Sequence, residues 1–300
     1  AEWMNGAVLS LHRDDYGCCN TLLAERNDTL GRHTEAFFPE LVYIRPQGQI
    51  EKRDSLEGSA FIDFPVDQTV IYPGYRRNTA ELGKIQSSID SVRSDTDITI
   101  TSVWLKGYAS PESPYAHNKD LAIGRTAALK KFIQQLYQFE DEEITTDYEP
   151  EDWVGLRHYV EQSDLEHRTE MIALIGNLEP DAKELKIKQT YPAEYRFLLQ
   201  NCYPALRHTD YRIVYTIRSY SDVEDIRRII RERPQKLNLN EFYLVAQEYE
   251  PGTDEFTEVF ETAVRMFPDD TIANLNAANA AMRRGDLTAA KRYLAKTDNS

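Results

Sequence analysis

Four side chains within one short stretch carry the chemistry most readily read from this chain: Ser110, Glu112, Asn118 and Arg125. A guanidinium can meet a carboxylate with two parallel hydrogen bonds, so Arg125 would either hold a ligand carboxylate or bond carbonyls at the end of a strand. Glu112 is the acid of the turn Gly107–Pro114, and Asn118 is suited to tie that turn to a following helix through side-chain to backbone hydrogen bonds. Such a set binds; it does not break bonds. The sequence has no Gly-x-Ser-x-Gly elbow, no Walker loop and no dinucleotide fingerprint. Its six histidines show no metal-ligand spacing such as two on adjacent helical turns. Catalytic residues, a metal and a cofactor are therefore not expected. Carboxylate runs such as Asp141-Glu142-Glu143 suit solvated surface in so acidic a chain. Tyr191, Tyr195 and Tyr203 would pack at core edges or line a glycan or peptide groove.

The elements that must position these residues follow from periodicity. Ile98, Ile100, Val103 and Leu105 predict a strand that Gly107 closes. Ser110-Pro111 and Ser113-Pro114 each offer an N-cap with proline at the first helical position, so a helix should start there and run to Tyr137. Its buried stripe would be Leu121, Ala128, Leu129, Phe132, Ile133 and Leu136. Upstream, residues 59–66 predict a strand, and Asn78 is expected as the N-cap of a helix with Leu82, Ile85, Ile89 and Val92 inward. Strand, helix, strand, helix is a βαβ order, with residues 59–66 and 98–106 expected to run parallel, side by side. Residues 144–148 and 211–218 supply further strands. Helices are expected between them at 153–162, 165–175, 182–188 and 193–201.

Asn118, Leu121 and Arg125 stand at the spacing of the Asn-x-x-Leu-Ser-x-x-Arg-Ala signature, and the segment resembles the OmpA-like peptidoglycan-associated domain. The resemblance implies that Arg125 would grip the carboxylate of a wall stem peptide while an aspartate fifteen positions earlier holds its ammonium. That position is Ser110 here, and Ala122 and Thr126 replace the signature's serine and alanine. Glu112 would have to stand in for the acid from a shifted place. Arg207, just ahead of the alternating Tyr211–Arg218, resembles the arginine-rich start of the family's closing strand. The candidate peptidoglycan site implied is thus Ser110, Glu112, Asn118, Arg125 and Arg207. Farther on, Phe256, Phe260, Ala263 and Pro268, then Ala278, Ala281, Ala290 and Leu294, resemble the packing positions of tetratricopeptide repeats over residues 237–300, with further repeats expected in a longer parent. The turn Gly-Tyr-Ala-Ser-Pro-Glu and Glu149-Pro150-Glu151-Asp152-Trp153 resemble a group of outer-membrane-associated proteins encoded near fimbrial or surface-assembly genes.

Composition bounds the reading. Three hundred residues with 41% hydrophobic content suit two modest domains. A formal charge of −15 argues against nucleic acid as a partner. No stretch of eighteen apolar residues is present. Cys18 and Cys19 are adjacent and cannot readily pair with each other, which leaves a bridge from one of them to Cys202 as the remaining option. The first forty residues show no sustained period. Leu41–Ile44 predicts a strand before the turn Arg45–Gly48, in a segment that either docks a partner or wraps the sheet as a tail. The expected fold class is α+β: a segment 1–56, an OmpA-like βαβ-containing mixed sheet over 57–220 with a helical insertion at 150–205, and an all-α tetratricopeptide-like domain over 221–300. The resemblance implies a periplasmic or outer-membrane-associated protein, its signal peptide removed. Two functions follow: a non-enzymatic scaffold or adaptor for an envelope protein partner, fimbrial or outer-membrane, or a peptidoglycan anchor holding the stem peptide near Arg125.

Overall fold

The computed structural model describes residues 7–32, 41–47, 51–177 and 179–297. They form two compact units, one of residues 47–245 and one made of the described parts of 1–46 and 246–300. Both edges differ from the expected 57 and 220. The sheet's first strand begins at Lys52, whose ammonium bonds Glu241 Oε1 at 3.0 Å, so the helices just after residue 221 belong with the sheet.

The chain opens with a hairpin of β1 (Val8–Tyr16) and β2 (Leu22–Arg32), antiparallel, in a region where no period was expected. Alternation marks a strand only when one face is buried. Here Leu9, Leu11, Leu23 and Leu30 are all exposed. Leu41–Ile44 lies in no helix or strand, contrary to the expected strand, and Gly48 of the expected turn lies outside the described residues.

The larger unit is a mixed sheet with two helices on one face. β3 (Lys52–Ala60) leads to α1 (Asn78–Arg93), β4 (Ile98–Tyr108), α2 (Tyr115–Tyr137) and β5 (Ile144–Glu149); β6 (Thr209–Ile217) closes the sheet. The strand order is β3-β6-β4-β5, with β6 antiparallel to both neighbours and β4 parallel to β5. β3 and β4 therefore run the same way, but they are not side by side as expected. β6 lies between them because its inward residues suit a central position: Ile213 pairs with Leu56 on one side and Val103 on the other, and Val103 in turn with Ile144. This apolar row crosses all four strands and meets Leu82, Ile85 and Ile89 of α1 and Leu129 and Ile133 of α2. β3 also ends at Ala60, short of the expected 66. The apolar residues after it leave the ladder because α1 takes their amides: Phe61 N donates to Glu81 Oε2 at 3.0 Å, and Asp63 N to Asn78 Oδ1 at 2.7 Å.

Within β4 the register shifts between Ile100 and Ser102. One extra residue turns the alternation over, so Ile98 and Ile100 pack toward the same core as Val103 and Leu105. The buried stripe of α2 also departs from expectation. It runs Asn118, Ala122, Thr126, Leu129 and Ile133, leaving Leu136 exposed and Leu121 and Ala128 half-buried.

Between β5 and β6 the expected insertion forms α3 (Trp153–Gln162), α4 (Arg168–Asn177), α5 (Pro180–Thr190), α6 (Pro192–Asn201) and the single turn α7 (Tyr203–Leu206). These helices bury a core of their own around Leu156, Val160, Met171 and Leu198. Tyr195 and Tyr203 are part of that core, and Tyr195 also lines a surface cavity with Glu112, Lys188 and Arg196. Cys202 joins them, and all three cysteines are free. After β6 come α8 (Val223–Glu232) and α9 (Leu239–Ala246).

In the other unit α10 (Asp254–Met266), α11 (Thr271–Arg284) and α12 (Leu287–Leu294) pack in succession. Thr253, Asp270 and Asp286 cap them, and Gly285 turns the chain at φ 85°. Of the positions singled out in the sequence, Phe256, Phe260, Ala263, Ala278, Ala281 and Ala290 are buried, whereas Leu294 is half-buried and Pro268 exposed. No helix among the described residues is long and apolar enough to cross a membrane.

Candidate functional site

The corner between β4 and α2 is closed by main-chain bonds that reach both neighbouring strands. Tyr108 N donates to the His208 carbonyl at 2.8 Å, Ala109 N to the Glu149 carbonyl at 3.2 Å, and Asp152 N back to the Ala109 carbonyl at 3.0 Å. Close approach of α2 is possible because Gly107 has no side chain. A Cβ there would lie 1.9 Å from Thr126 Oγ1, which itself bonds the Ala122 carbonyl at 2.7 Å.

Neither serine of the turn caps α2. Its N-cap is Pro114, without a side-chain bond, one residue later than the Ser113-Pro114 pair would place it. The insertion supplies the missing acceptor: Tyr115 N donates to Asp181 Oδ1 of α5 at 2.8 Å. Asn118, 2% exposed, fills the architectural role expected of it, donating to the Ser113 carbonyl at 2.6 Å and to Glu151 Oε1 at 2.8 Å. Trp153 Nε1 donates to the other oxygen of Glu151 at 2.7 Å. Burial raises the pKa of Glu151 even so, against the lowering by those two donors.

All five candidate residues, Ser110, Glu112, Asn118, Arg125 and Arg207, line one cavity of about 250 Å³. They do not play equal parts. Ser110 is 3% exposed and accepts a 2.9 Å hydrogen bond from Arg207 Nε, while Arg207 Nη2 pairs with Glu112 Oε1 at 2.5 Å. Arg125 leans over the Phe64 ring, 5.0 Å from its centroid, and its Nε donates to the Gln68 carbonyl at 3.3 Å. It sits on the rim of the inner stripe, beside the buried Thr126. Burial and the neighbouring charge of Arg207 lower the pKa of Arg125. An anion between the two guanidiniums would offset their mutual repulsion.

Sequence reasoning missed the other wall. A second cavity of about 120 Å³ shares Arg76, Arg125 and Arg207 and adds Arg77 and His208. Arg76 (φ 48°) and Asp67 (φ 54°) hold left-handed backbone conformations beside this site, an uncommon state for residues other than glycine. The Arg76-Arg77 dipeptide ahead of α1 was the available signal, but nothing in its spacing tied it to Arg125. His208 stacks on Tyr108 at 4.3 Å; burial disfavours its charge, yet the hydrogen bond and charge of Asp210 outweigh that and raise its pKa.

Cross-strand pairing also gathers His12, Asp14 and Glu25 on the hairpin, a grouping that the search for helical spacing passed over. His12 Nε2 lies 2.9 Å from Asp14 and 3.4 Å from Glu25, so these exposed groups are engaged with one another. Compared with known proteins, the chain matches no family profile and no curated protein.

Proposed function

We propose that this chain is a non-enzymatic cell-envelope scaffold or adaptor, built on an OmpA-like domain with tetratricopeptide-like helices, that binds a protein partner of a surface or fimbrial assembly. One observation carries this reading: the corner expected to hold a zwitterionic ligand is satisfied from within. Arg207 occupies Ser110 and engages Glu112, and the cavity's other carboxylate, Asp67, lies 3.0 Å from His117 Nε2, so both acids there already have partners within the protein. The arginine half of a ligand clamp persists in Arg125, but its acidic half serves the protein itself.

The cavity favours a second reading. About 250 Å³ is open beside Arg125 and Arg207, and two neighbouring guanidiniums suit a carboxylate. On that reading the chain anchors to peptidoglycan by the stem peptide's carboxylate alone. Co-sedimentation with purified sacculi separates the two. The scaffold reading expects wild type and Arg125→Ala to remain equally in the supernatant. Wild-type sedimentation that Arg125→Ala abolishes would establish the anchor in its place.

A further inference from the structure

The segment around Tyr43 lies against α10 and α11 in the manner of a bound peptide. Asn276 holds both main-chain groups of Ile44: Ile44 N donates to Asn276 Oδ1 at 2.8 Å, and Asn276 Nδ2 donates to the Ile44 carbonyl at 2.7 Å. Because one side is an N–H and the other a C=O, these two bonds fix the orientation of the carboxamide. One turn along α11, Asn279 Nδ2 donates to the Val42 carbonyl at 2.7 Å. Between these anchors the Tyr43 ring enters a slot on α10, edge-on to Phe256 at 4.8 Å and stacked on Phe260 at 5.5 Å.

These contacts read very little sequence. All three hydrogen bonds go to main chain. The side chains of Val42 and Ile44 point away, 63% and 41% exposed. Among residues 42–44 only Tyr43 is recognised as a side chain, with Pro46 also buried farther along, and the Tyr43 hydroxyl has no hydrogen-bond partner. The surface behind it is less neutral. Asparagine is a poor helix former, and a buried carboxamide must be satisfied. Asn276 is nevertheless 1% exposed in a helix whose neighbouring inward positions are Ala273, Ala277 and Ala280. That choice is explained by an extended backbone lying across it.

We propose that α10 and α11 form a peptide-binding groove for an extended segment centred on an aromatic residue, and that residues 41–47 are its occupant in cis, displaceable by such a segment from a partner protein. A tether of this kind presents its segment at millimolar effective concentration, so a partner must outcompete it. The groove prefers phenylalanine at least as much as tyrosine, since the hydroxyl is unsatisfied there. The inference stands apart from the Arg125 corner, and sacculus binding and peptide binding read different surfaces, so either can fail alone.

The test uses the whole chain and a fluorescein-labelled peptide of residues 41–47, Leu-Val-Tyr-Ile-Arg-Pro-Gln, followed by anisotropy. Tyr43→Ala, which empties the slot, should bind the peptide at least about tenfold more tightly than wild type. Adding Asn276→Ala should abolish binding, replacing the peptide's tyrosine by alanine should do the same, and replacing it by phenylalanine should not. Absence of binding to folded Tyr43→Ala overturns the proposal. So does a wild-type dimer that Tyr43→Ala dissolves, because it would give the groove to a second copy. Should Tyr43→Ala not fold, amide exchange in the wild type decides: Ile44 should exchange at least about tenfold faster than the slowest amides of α11, as a docked segment does. Exchange at the same rate would make the segment part of the cooperative core and sink the idea.

Discussion

Gly107 and Thr126 meet where β4 passes under α2, and their contact sets how near Arg125 comes to the strand ends. A methyl group at residue 107 would collide with the Thr126 hydroxyl, which cannot turn aside without losing its bond to the Ala122 carbonyl. Gly107→Ala should therefore destabilise the protein by about 1–3 kcal/mol in urea unfolding. Thr126→Ala in the same chain should restore most of the loss; no restoration would mean that the clash lies elsewhere. Thr126 departs from the signature's alanine, and the absent side chain at residue 107 is what admits it. Arg207 is legible at this scale only in part. Its place ahead of β6 is visible in the sequence, but its choice of Ser110 and Glu112 as partners is not, because Arg207 and Ser110 stand 97 positions apart and Glu112 is nearly as far.

At the scale of elements, α2 depends on the insertion, a neighbour whose contact with it no local signal announced. Two serine-proline pairs stand ready in the sequence, yet the Tyr115 amide is bonded by Asp181 of the insertion. Asp181→Ala should cost about 1 kcal/mol and speed amide exchange in the first turn of α2, while leaving its last turns unchanged. Unchanged exchange at Tyr115 would count against this cross-element cap. The insertion thus braces the candidate site from outside, through Asp181 at the helix start and Glu151 on Asn118. Strand β3 makes the complementary point. Phe61, Ile62 and Phe64 carry the apolar signal of a strand, but Glu81 and Asn78 draw their backbone out of the ladder, and the polar Lys52–Ser59 forms the edge instead.

For the molecule, the ion network at one end of the sheet contributes to the response to acid, beside Glu81 and Asp210, whose pKa values are lowered too. Lys236 Nζ lies 2.6 Å from Asp95 and 3.0 Å from Asp97, and Arg218 Nε donates to Asp97 at 2.6 Å. Burial works against both carboxylates, but the hydrogen bonds from Lys236 to each and from Arg218 to Asp97 outweigh it and hold them below the usual carboxylate range. Native pKa values below the unfolded value of about 3.9 mean stability that is present above pH 4 and lost as pH falls through the native values. Urea midpoints measured from pH 6 downward should fall through this range, and Asp97→Asn should lower the midpoint at pH 6 and flatten the fall. An equally steep fall in Asp97→Asn would assign the acid response to other groups. What the sequence determined alone are the elements whose signal is local: the stripe of α1, the buried positions from Phe256 to Ala290 in the C-terminal helices, and the strand-turn-helix around Asn118 and Arg125. Tertiary structure alone decided the place of β6 between β3 and β4, the gathering of Arg76 and Arg207 onto the cavity of Arg125, and the seat of Tyr43 on α10 and α11. Those outcomes join residues far apart in the chain, and periodicity reports only which face a segment buries, never which partner it will meet.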